Sequence, residues 1–206
     1  MYINNPADIE RRSMEIIEEG MKNKSYDDDE LRVVERMIHT TGDPGYEDIA
    51  VFKNNAVEVG IKLLKRGCCI FTDTRMAWSG INKKALARSQ STLKCYIDDE
   101  RAAKMAKENG TTRSYAAVEI ATADGTDIFV VGNAPTALFR VGELINEKKV
   151  NPSLIIGVPV GFVGAADSKE YIRGCDVPSI TTVGTKGGSN VAAAVMNAML
   201  YMAVGR

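Results

Sequence analysis

The segment "SLIIGVPVGFVGAADS", residues 153–168, decides the fold of this chain. A short, nearly continuous apolar run is followed by a glycine-rich turn and then by a segment suited to a helix. This order is typical of a parallel strand that is buried on both faces and of the helix that leads to the next strand. The segment therefore predicts a parallel sheet covered by helices.

The same alternation continues along the chain on both sides of this segment. Strands are predicted in 68–73, 92–98, 127–131, 153–160 and 179–183. Helices are predicted in 3–21, 26–39, 55–67, 82–90, 99–110, 112–125, 135–148, 165–174 and 189–203. We expect a three-layer α/β/α fold with a mostly parallel sheet, formed as a single domain over residues 1–206. The only boundary that the pattern suggests follows two leading helices in residues 1–42.

The composition excludes several classes of function. The chain has 206 residues, with 26 Lys and Arg against 27 Asp and Glu, and so lacks the basic excess typical of a nucleic-acid binder. Its 4 cysteines form no Cys-x-x-Cys pair, which favours reduced thiols in the cytoplasm over disulfides or a zinc site. The longest apolar run, 191–204, is too short to cross a bilayer. We expect no nucleic acid, no membrane and no metal site.

Three turns between strand and helix are rich in glycine and small polar residues: "VVGNAPTAL" (130–138), "GVPVGFVGAADS" (157–168) and "VGTKGGSNVAA" (183–193). In a parallel sheet they all lie at the carboxyl edge, where backbone N–H groups at helix starts attract anions. None is a nucleotide fingerprint, since Lys186 precedes the paired glycines instead of following them. Each turn alone is also explained as a tight connection, but together they favour an anion site.

Three side chains stand out individually. His39 is the only histidine and lies in the last turn of a predicted helix, a position that the helix dipole favours with or without catalysis. Ser13 falls in the middle of an apolar stripe, where a hydroxyl needs a partner, either a ligand or the carbonyl four residues earlier. Arg113 begins a helix, where the dipole disfavours a cation. It fits an anionic ligand, or it is simply an exposed arginine.

Seven blocks of sequence carry a resemblance to a known family. They are "IERRSMEII" (9–17), "RMIHTTGD" (36–43), "FTDTRMAWSGI" (71–81), "TRSYAAVEIA" (112–121), "VVGNAPTALFRVGELI" (130–145), "LIIGVPVGFVGAADSKE" (154–170) and "GTKGGSNVAAAVMNAML" (184–200). In this order the chain resembles, over nearly its whole length, the precorrin-8X methylmutases and their counterparts that act on cobalt-precorrin-8. Seven blocks in register are more specific than any single motif.

The resemblance implies an isomerase of cobalamin (vitamin B12) biosynthesis that moves a methyl group from C11 to C12 of a tetrapyrrole. It implies a homodimer and no cofactor, since any cobalt belongs to the substrate. His39 is then the catalytic proton donor to a ring nitrogen, and Arg113 is a clamp for a carboxylate arm. The implied substrate-binding residues are Ser13, Thr40, Asp73, Arg113, Asn133, Gly187, Gly188 and Ser189.

The segment "HTTGDPGYED" (39–48) departs from many relatives of the aerobic pathway, which are more apolar there, and this favours the cobalt-containing substrate. Two other classes of function remain open. A tetrapyrrole carrier without catalytic activity would share the pocket but would not need His39. A phosphate-ester or nucleotide enzyme on a doubly wound sheet would need a phosphate fingerprint, which the chain lacks.

Overall fold

The computed structural model describes residues 4–22 and 25–206. Its sheet has six strands in the order β1-β6-β5-β4-β2-β3. The strands are β1 (Ala50–Lys53), β2 (Cys69–Thr72), β3 (Thr92–Lys94), β4 (Ile128–Val131), β5 (Leu154–Gly157) and β6 (Ser179–Thr182). All neighbours are parallel except β1, which runs antiparallel to β6. The mostly parallel sheet predicted from the sequence is confirmed.

The described ranges contain eleven helices. They are α1 (Pro6–Gly20), α2 (Asp28–Thr41), α3 (Tyr46–Ile49), α4 (Ala56–Arg66), α5 (Arg75–Gly80), α6 (Lys83–Arg88), α7 (Glu100–Asn109), α8 (Arg113–Ala123), α9 (Pro135–Asn146), α10 (Ala165–Gly174) and α11 (Ser189–Val204). None of these helices is long and apolar enough to cross a membrane.

Alternate side chains of the central strands enter two separate cores. Phe129 and Val131 of β4 pack with residues of α7, α8 and α9 on one face of the sheet. Ile128 and Val130 of the same strand pack with α2, α4, α6 and α11 on the other face. The period of two along a strand thus produces the three layers expected from the apolar runs.

The two leading helices differ in how firmly they are held. On α2, the apolar side chains Val33, Val34, Met37 and Ile38 are buried in the same core as α11. In contrast, α1 has no buried residue and packs on α2. It begins as the sequence predicts, with Asn5 as N-cap and Pro6 in the first turn, although residue 3 of the predicted helix lies outside the described ranges. Helix α1 is therefore a partial cover over α2.

Four short elements differ from the sequence prediction. The strand β1 and the short helices α3 and α5 were not predicted, and the strand predicted over 92–98 ends at Lys94. Each of these elements has between 3 and 6 residues. Segments of this length contain too few residues to show a period, so their structure is set by contacts distant in sequence, such as the pairing of β1 with β6.

Candidate active site

Two of the turns at the carboxyl edge are joined by hydrogen bonds. The Gly188 N–H donates to the carbonyl of Val158 (2.8 Å), and the Gly161 N–H donates to the carbonyl of Thr185 (3.1 Å). These bonds link the turn after β5 to the turn after β6. The two turns that the sequence placed at the same edge therefore form one continuous surface.

Asp73 holds a further turn in place. Its carboxylate, at the end of β2, accepts hydrogen bonds from the N–H groups of Gly132 (2.9 Å), Asn133 (2.8 Å) and Ala134 (2.8 Å), which follow β4. Asp73 is fully buried, and burial raises its carboxyl pKa while the three N–H groups act to lower it. Both oxygens of the Asp73 carboxyl group are therefore used to hold the turn after β4.

Two glycines are required by close approach of the backbone. A Cβ on Gly187 would lie 2.1 Å from the Val158 carbonyl oxygen, and a Cβ on Gly132 would lie 2.7 Å from Cα of Ser189. Gly188 has a φ of +134°, which side chains with a Cβ rarely adopt. These glycines allow the turns after β4, β5 and β6 to pack against each other.

The end of α2 is tethered to the same edge. Gly42 ends the helix in the left-handed conformation (φ +67°), three residues after His39. The following residue, Asp43, accepts a hydrogen bond from Lys186 Nζ (2.5 Å), and this contact holds the pKa of the Asp43 carboxyl below its usual range. The Tyr46 hydroxyl donates to the Gly187 carbonyl (3.4 Å). His39 is thereby brought beside the turn that precedes α11.

His39 lies between two cavities and lines both. The larger, about 400 Å³, is formed between α1 and α2, and its lining includes Ser13, Ile16, Ile17 and Ile38. The smaller, about 230 Å³, lies between α2 and α11. Its lining includes Arg36, Thr40, Asn190, Asn197 and Tyr201. One cavity is therefore mainly apolar and the other mainly polar.

The imidazole of His39 is exposed, and within the described residues it makes no hydrogen bond or ion pair. Both ring nitrogens are therefore available to a ligand. Its place in the last turn of α2 puts it near the negative end of the helix dipole. The group can donate a hydrogen bond or a proton into either cavity.

The remaining predicted site residues lie at the same edge but not all in these cavities. The Ser13 hydroxyl lines the larger cavity and donates to the Ile9 carbonyl (2.8 Å), which is the local bond expected as the alternative to a ligand. Thr40 lines the smaller cavity. Asn133 is exposed, and its side-chain amide has no partner among the residues described. Ser189 is buried and its hydroxyl lies 2.8 Å from that of Thr74.

Arg113 lies on the layer of helices opposite to His39. It is exposed in the first turn of α8, and the neighbouring Thr112 hydroxyl lies 2.9 Å from that of Thr136 at the start of α9. This places the start of α8 beside the start of α9. Arg113 lines neither of the two cavities at His39. A ligand that meets both residues has to extend across the edge of the sheet.

The anion-binding capacity predicted for the glycine-rich turns is partly used by the protein itself. The N–H groups of 132–134 bind Asp73, and those of Gly161 and Gly188 bind carbonyls. In the described part of the chain, the N–H groups of Gly187, Ser189 and Asn190 remain without a partner. Free donors thus lie at the start of α11, next to the smaller cavity. The anion site predicted at these turns stays a prediction, with the N–H groups of 132–134 already occupied by Asp73.

Sequence reasoning missed the roles of Asp43, Asn190 and Lys169. Asp43 pairs with a residue 143 positions away, a separation that leaves no local pattern. Asn190 lies within the predicted turn of residues 183–193 but carries no motif of its own. Lys169 is a fully buried lysine on α10, four residues after Ala165 and three before Ile172, both also buried. This apolar spacing around a lysine is a signal that was available in the sequence.

No group of three or more His, Cys, Asp or Glu residues that could hold a metal occurs in the ranges that the structure describes. The four cysteines are free thiols. Burial raises the pKa of Cys68 to about 11, so this thiol is protonated at neutral pH.

Comparisons with known proteins agree with one another. The family described as "Precorrin-8X methylmutase" matches residues 8–202. The cobalt-precorrin-8 methylmutase of Salmonella typhimurium is 45% identical, over 97% of this chain and 97% of its own. The precorrin-8X methylmutase of Pseudomonas aeruginosa is 35% identical, over 96% of each chain. A crystal structure of precorrin-8X methylmutase from Thermus thermophilus superposes with a TM-score of 0.90, at 34% identity over 96% of each chain.

A three-layer α/β fold with its candidate site at the carboxyl edge, together with these full-length matches, defines an enzyme of the isomerase class. Within that class the chain belongs to the precorrin-8X methylmutase family.

Proposed function

We propose that this chain moves a methyl group from C11 to C12 of the ring of precorrin-8X or cobalt-precorrin-8, in cobalamin biosynthesis. The observation that carries the proposal is the position of His39, an unpaired imidazole between two cavities. Substrate and product are isomers. The bond from the methyl group to C11 breaks, its bond to C12 forms, and no external oxidant or reductant is needed.

His39 acts in this proposal as the proton donor to a ring nitrogen. Protonation, or a strong hydrogen bond, withdraws electrons from the conjugated ring, which lowers the barrier for the methyl group to leave C11. The proton returns to the imidazole once the methyl group has reached C12, so that the enzyme ends in its starting state. The absence of any competing partner for His39 in the described residues leaves it ready for this task.

The surroundings of His39 fit a flat apolar ring with anionic arms. Ile16, Ile17 and Met21 give the larger cavity an apolar wall. Arg113 and the free N–H groups at the start of α11 offer donors for carboxylates at the edge of the sheet. A ring that spans the edge would reach both layers of helices, which accounts for the separation of Arg113 from His39.

The comparisons favour the cobalt-containing substrate. The chain is 45% identical to the cobalt-precorrin-8 methylmutase of Salmonella typhimurium and 35% identical to the precorrin-8X methylmutase of Pseudomonas aeruginosa. This preference agrees with the acidic, Pro-Gly-containing segment after His39. We assign any cobalt to the substrate and propose that the protein uses no cofactor.

We also propose that the enzyme works as a homodimer in the cytoplasm, where its four free thiols would stay reduced. The final helix, α11, fills the core and is not an open surface. An apolar surface is instead presented by the turn after β5, where Phe162 is 94% exposed and Val163 is 91% exposed. Exposed apolar side chains of this kind are typical of a surface that a second copy of the chain covers in a dimer.

The proposal is tested with substrate that carries ¹³C in the methyl group at C11. After incubation with the enzyme, the labelled carbon signal should move from the position of a methyl at C11 to that of a methyl at C12, with a change of colour as conjugation changes. Substrate without enzyme is the control. Binding without movement of the label would identify a tetrapyrrole carrier instead, and no binding would exclude both.

A further inference from the structure

Lys169, on α10, is fully buried beneath the turn that precedes α11. Its Nζ donates to Thr182 Oγ1 (3.1 Å) and to the carbonyl of Lys186 (2.9 Å). The Thr182 hydroxyl donates to the same carbonyl (2.7 Å). Two donors therefore converge on one carbonyl oxygen. That carbonyl belongs to the residue directly before Gly187, whose N–H is one of the free donors of the site.

No carboxylate pairs with this ammonium in the described part of the chain. On its own helix, Arg173 pairs with Glu170 and also faces β6 through Thr181. The strands β5 and β6 contribute no ionisable group. On α9, Arg140 and Glu143 pair with each other (2.9 Å), and in the turn above, the side chain of Lys186 pairs with Asp43.

A buried ammonium without a carboxylate is costly, because the protein replaces only part of its hydration. Burial and the nearby Arg173 lower the pKa of Lys169 to about 8. A lysine whose role is only to fill space would be replaced by methionine or leucine without this cost. We therefore expect the buried charge of Lys169 to stabilise the ligand-bound state.

We propose that Lys169 is a positioning residue of the anion site: it fixes the Lys186 carbonyl, and its positive charge below the 185–189 turn strengthens binding of a carboxylate arm of the ring. The inference rests on the proposed substrate class, a ring with carboxylate arms. Lys169 does not touch the ligand. It acts through the orientation of the turn and through the electrostatic potential at the free N–H groups.

A measurable consequence is proton uptake. A carboxylate that binds above the turn stabilises the charged form of Lys169, so Nζ takes a proton from the buffer when the ligand binds near pH 8. A ring of the same shape with amide arms carries no charge there and should cause no uptake. A residue that only supports the fold would not distinguish between the two rings.

The test is calorimetric titration at pH 8 in two buffers of different ionisation enthalpy, which reports the number of protons bound. A corrin ring with free carboxylate arms is compared with the same ring carrying amides. The proteins are the wild type, Lys169→Met and, as a matched control, Lys104→Met, whose side chain on α7 is 77% exposed. We expect Lys169→Met to lose proton uptake and to bind the carboxylated ring about tenfold more weakly, as for one charge about 12 Å from the carboxylate at an effective dielectric constant of about 20.

Equal affinity and equal proton uptake in the wild type and Lys169→Met would overturn the proposal. Thr182→Val is the control for a change in the shape of the turn. It removes the Thr182 hydroxyl, which also bonds the Lys186 carbonyl, and keeps the ammonium group of Lys169. Proton uptake should persist in Thr182→Val, and its complete loss there would also overturn the proposal. If the wild type bound neither ring, the proposed substrate class would fail together with the inference. If the wild type bound the carboxylated ring and Lys169→Met behaved in the same way, only the inference would fail and the proposed function would stand.

Discussion

Asp43 and Lys186 form an ion pair that joins the end of the helix carrying His39 to the turn before α11 (2.5 Å). Both side chains are substantially exposed, at 38% and 51%. Such a pair contributes little to the free energy of unfolding. It does hold the end of α2 at a set distance from the turn before α11. The distance from the imidazole to the anion-binding turn thus depends on a surface contact.

Asp43→Asn is expected to lower turnover more than stability. Loss of the ion pair should leave the unfolding temperature nearly unchanged, because both groups are exposed. It should lower kcat by about tenfold, because a small misplacement of His39 relative to the ring is costly. Steady-state kinetics and thermal unfolding measure the two effects. Asp98→Asn, which breaks another exposed ion pair at Arg75, is the control and should leave kcat unchanged.

Much of the fold could be predicted from the sequence because its signals are local. The apolar runs of β4 and β5, the N-cap Asn5 and the left-handed glycine after α2 all depend on neighbours within a few residues. The strand β1 could not be predicted in this way, since its four residues gain their hydrogen bonds from β6, about 130 positions later. Edge strands of this length carry no period of their own.

The candidate site was predicted less completely, and for a similar reason. The sequence indicated that the turns after β4 and β6 would meet and that His39 would end a helix. It could not show that Asp73 would occupy the N–H groups of 132–134, which lie about 60 residues away. The N–H groups of that turn do bind a carboxyl group, but it is the protein's own Asp73.

Arg113→Ala should weaken binding of a carboxylated corrin ring. A charge-assisted hydrogen bond contributes roughly 1.5–3 kcal/mol, which corresponds to about one to two powers of ten in Kd. The dependence of Kd on salt should also become shallower, because one positive charge is lost. Titration at two salt concentrations measures both. Unchanged affinity and unchanged salt dependence would place the carboxylate arms away from Arg113.

The pKa of Lys169 predicts how stability depends on pH. It lies near 8 in the folded protein and at the ordinary 10.5 in the unfolded chain. Between these values the unfolded chain binds the extra proton, so the free energy of unfolding rises with pH, by up to about 1.4 kcal/mol per pH unit. Urea unfolding between pH 7.5 and 10 should show this rise in the wild type relative to Lys169→Met. Parallel curves for the two proteins would contradict the prediction.

Phe162→Ser should shift the protein from dimer to monomer, because it removes an exposed aromatic side chain from the proposed contact surface. Light scattering after gel filtration measures the mass. Met76→Ser is the control, since Met76 is also exposed (69%) but lies on α5. A wild-type monomer at micromolar concentration, or a Phe162→Ser dimer as stable as the wild type, would rule out this surface.

The central claim, that His39 supplies the proton while contributing little to binding, is tested most directly by His39→Gln. Single-turnover rates and Kd for the corrin product are measured side by side, with circular dichroism to verify the fold. Turnover should fall by about 10²–10⁴, the usual contribution of general acid–base catalysis, with Kd changed less than about threefold. A folded His39→Gln enzyme that turned over close to the wild-type rate would contradict the account.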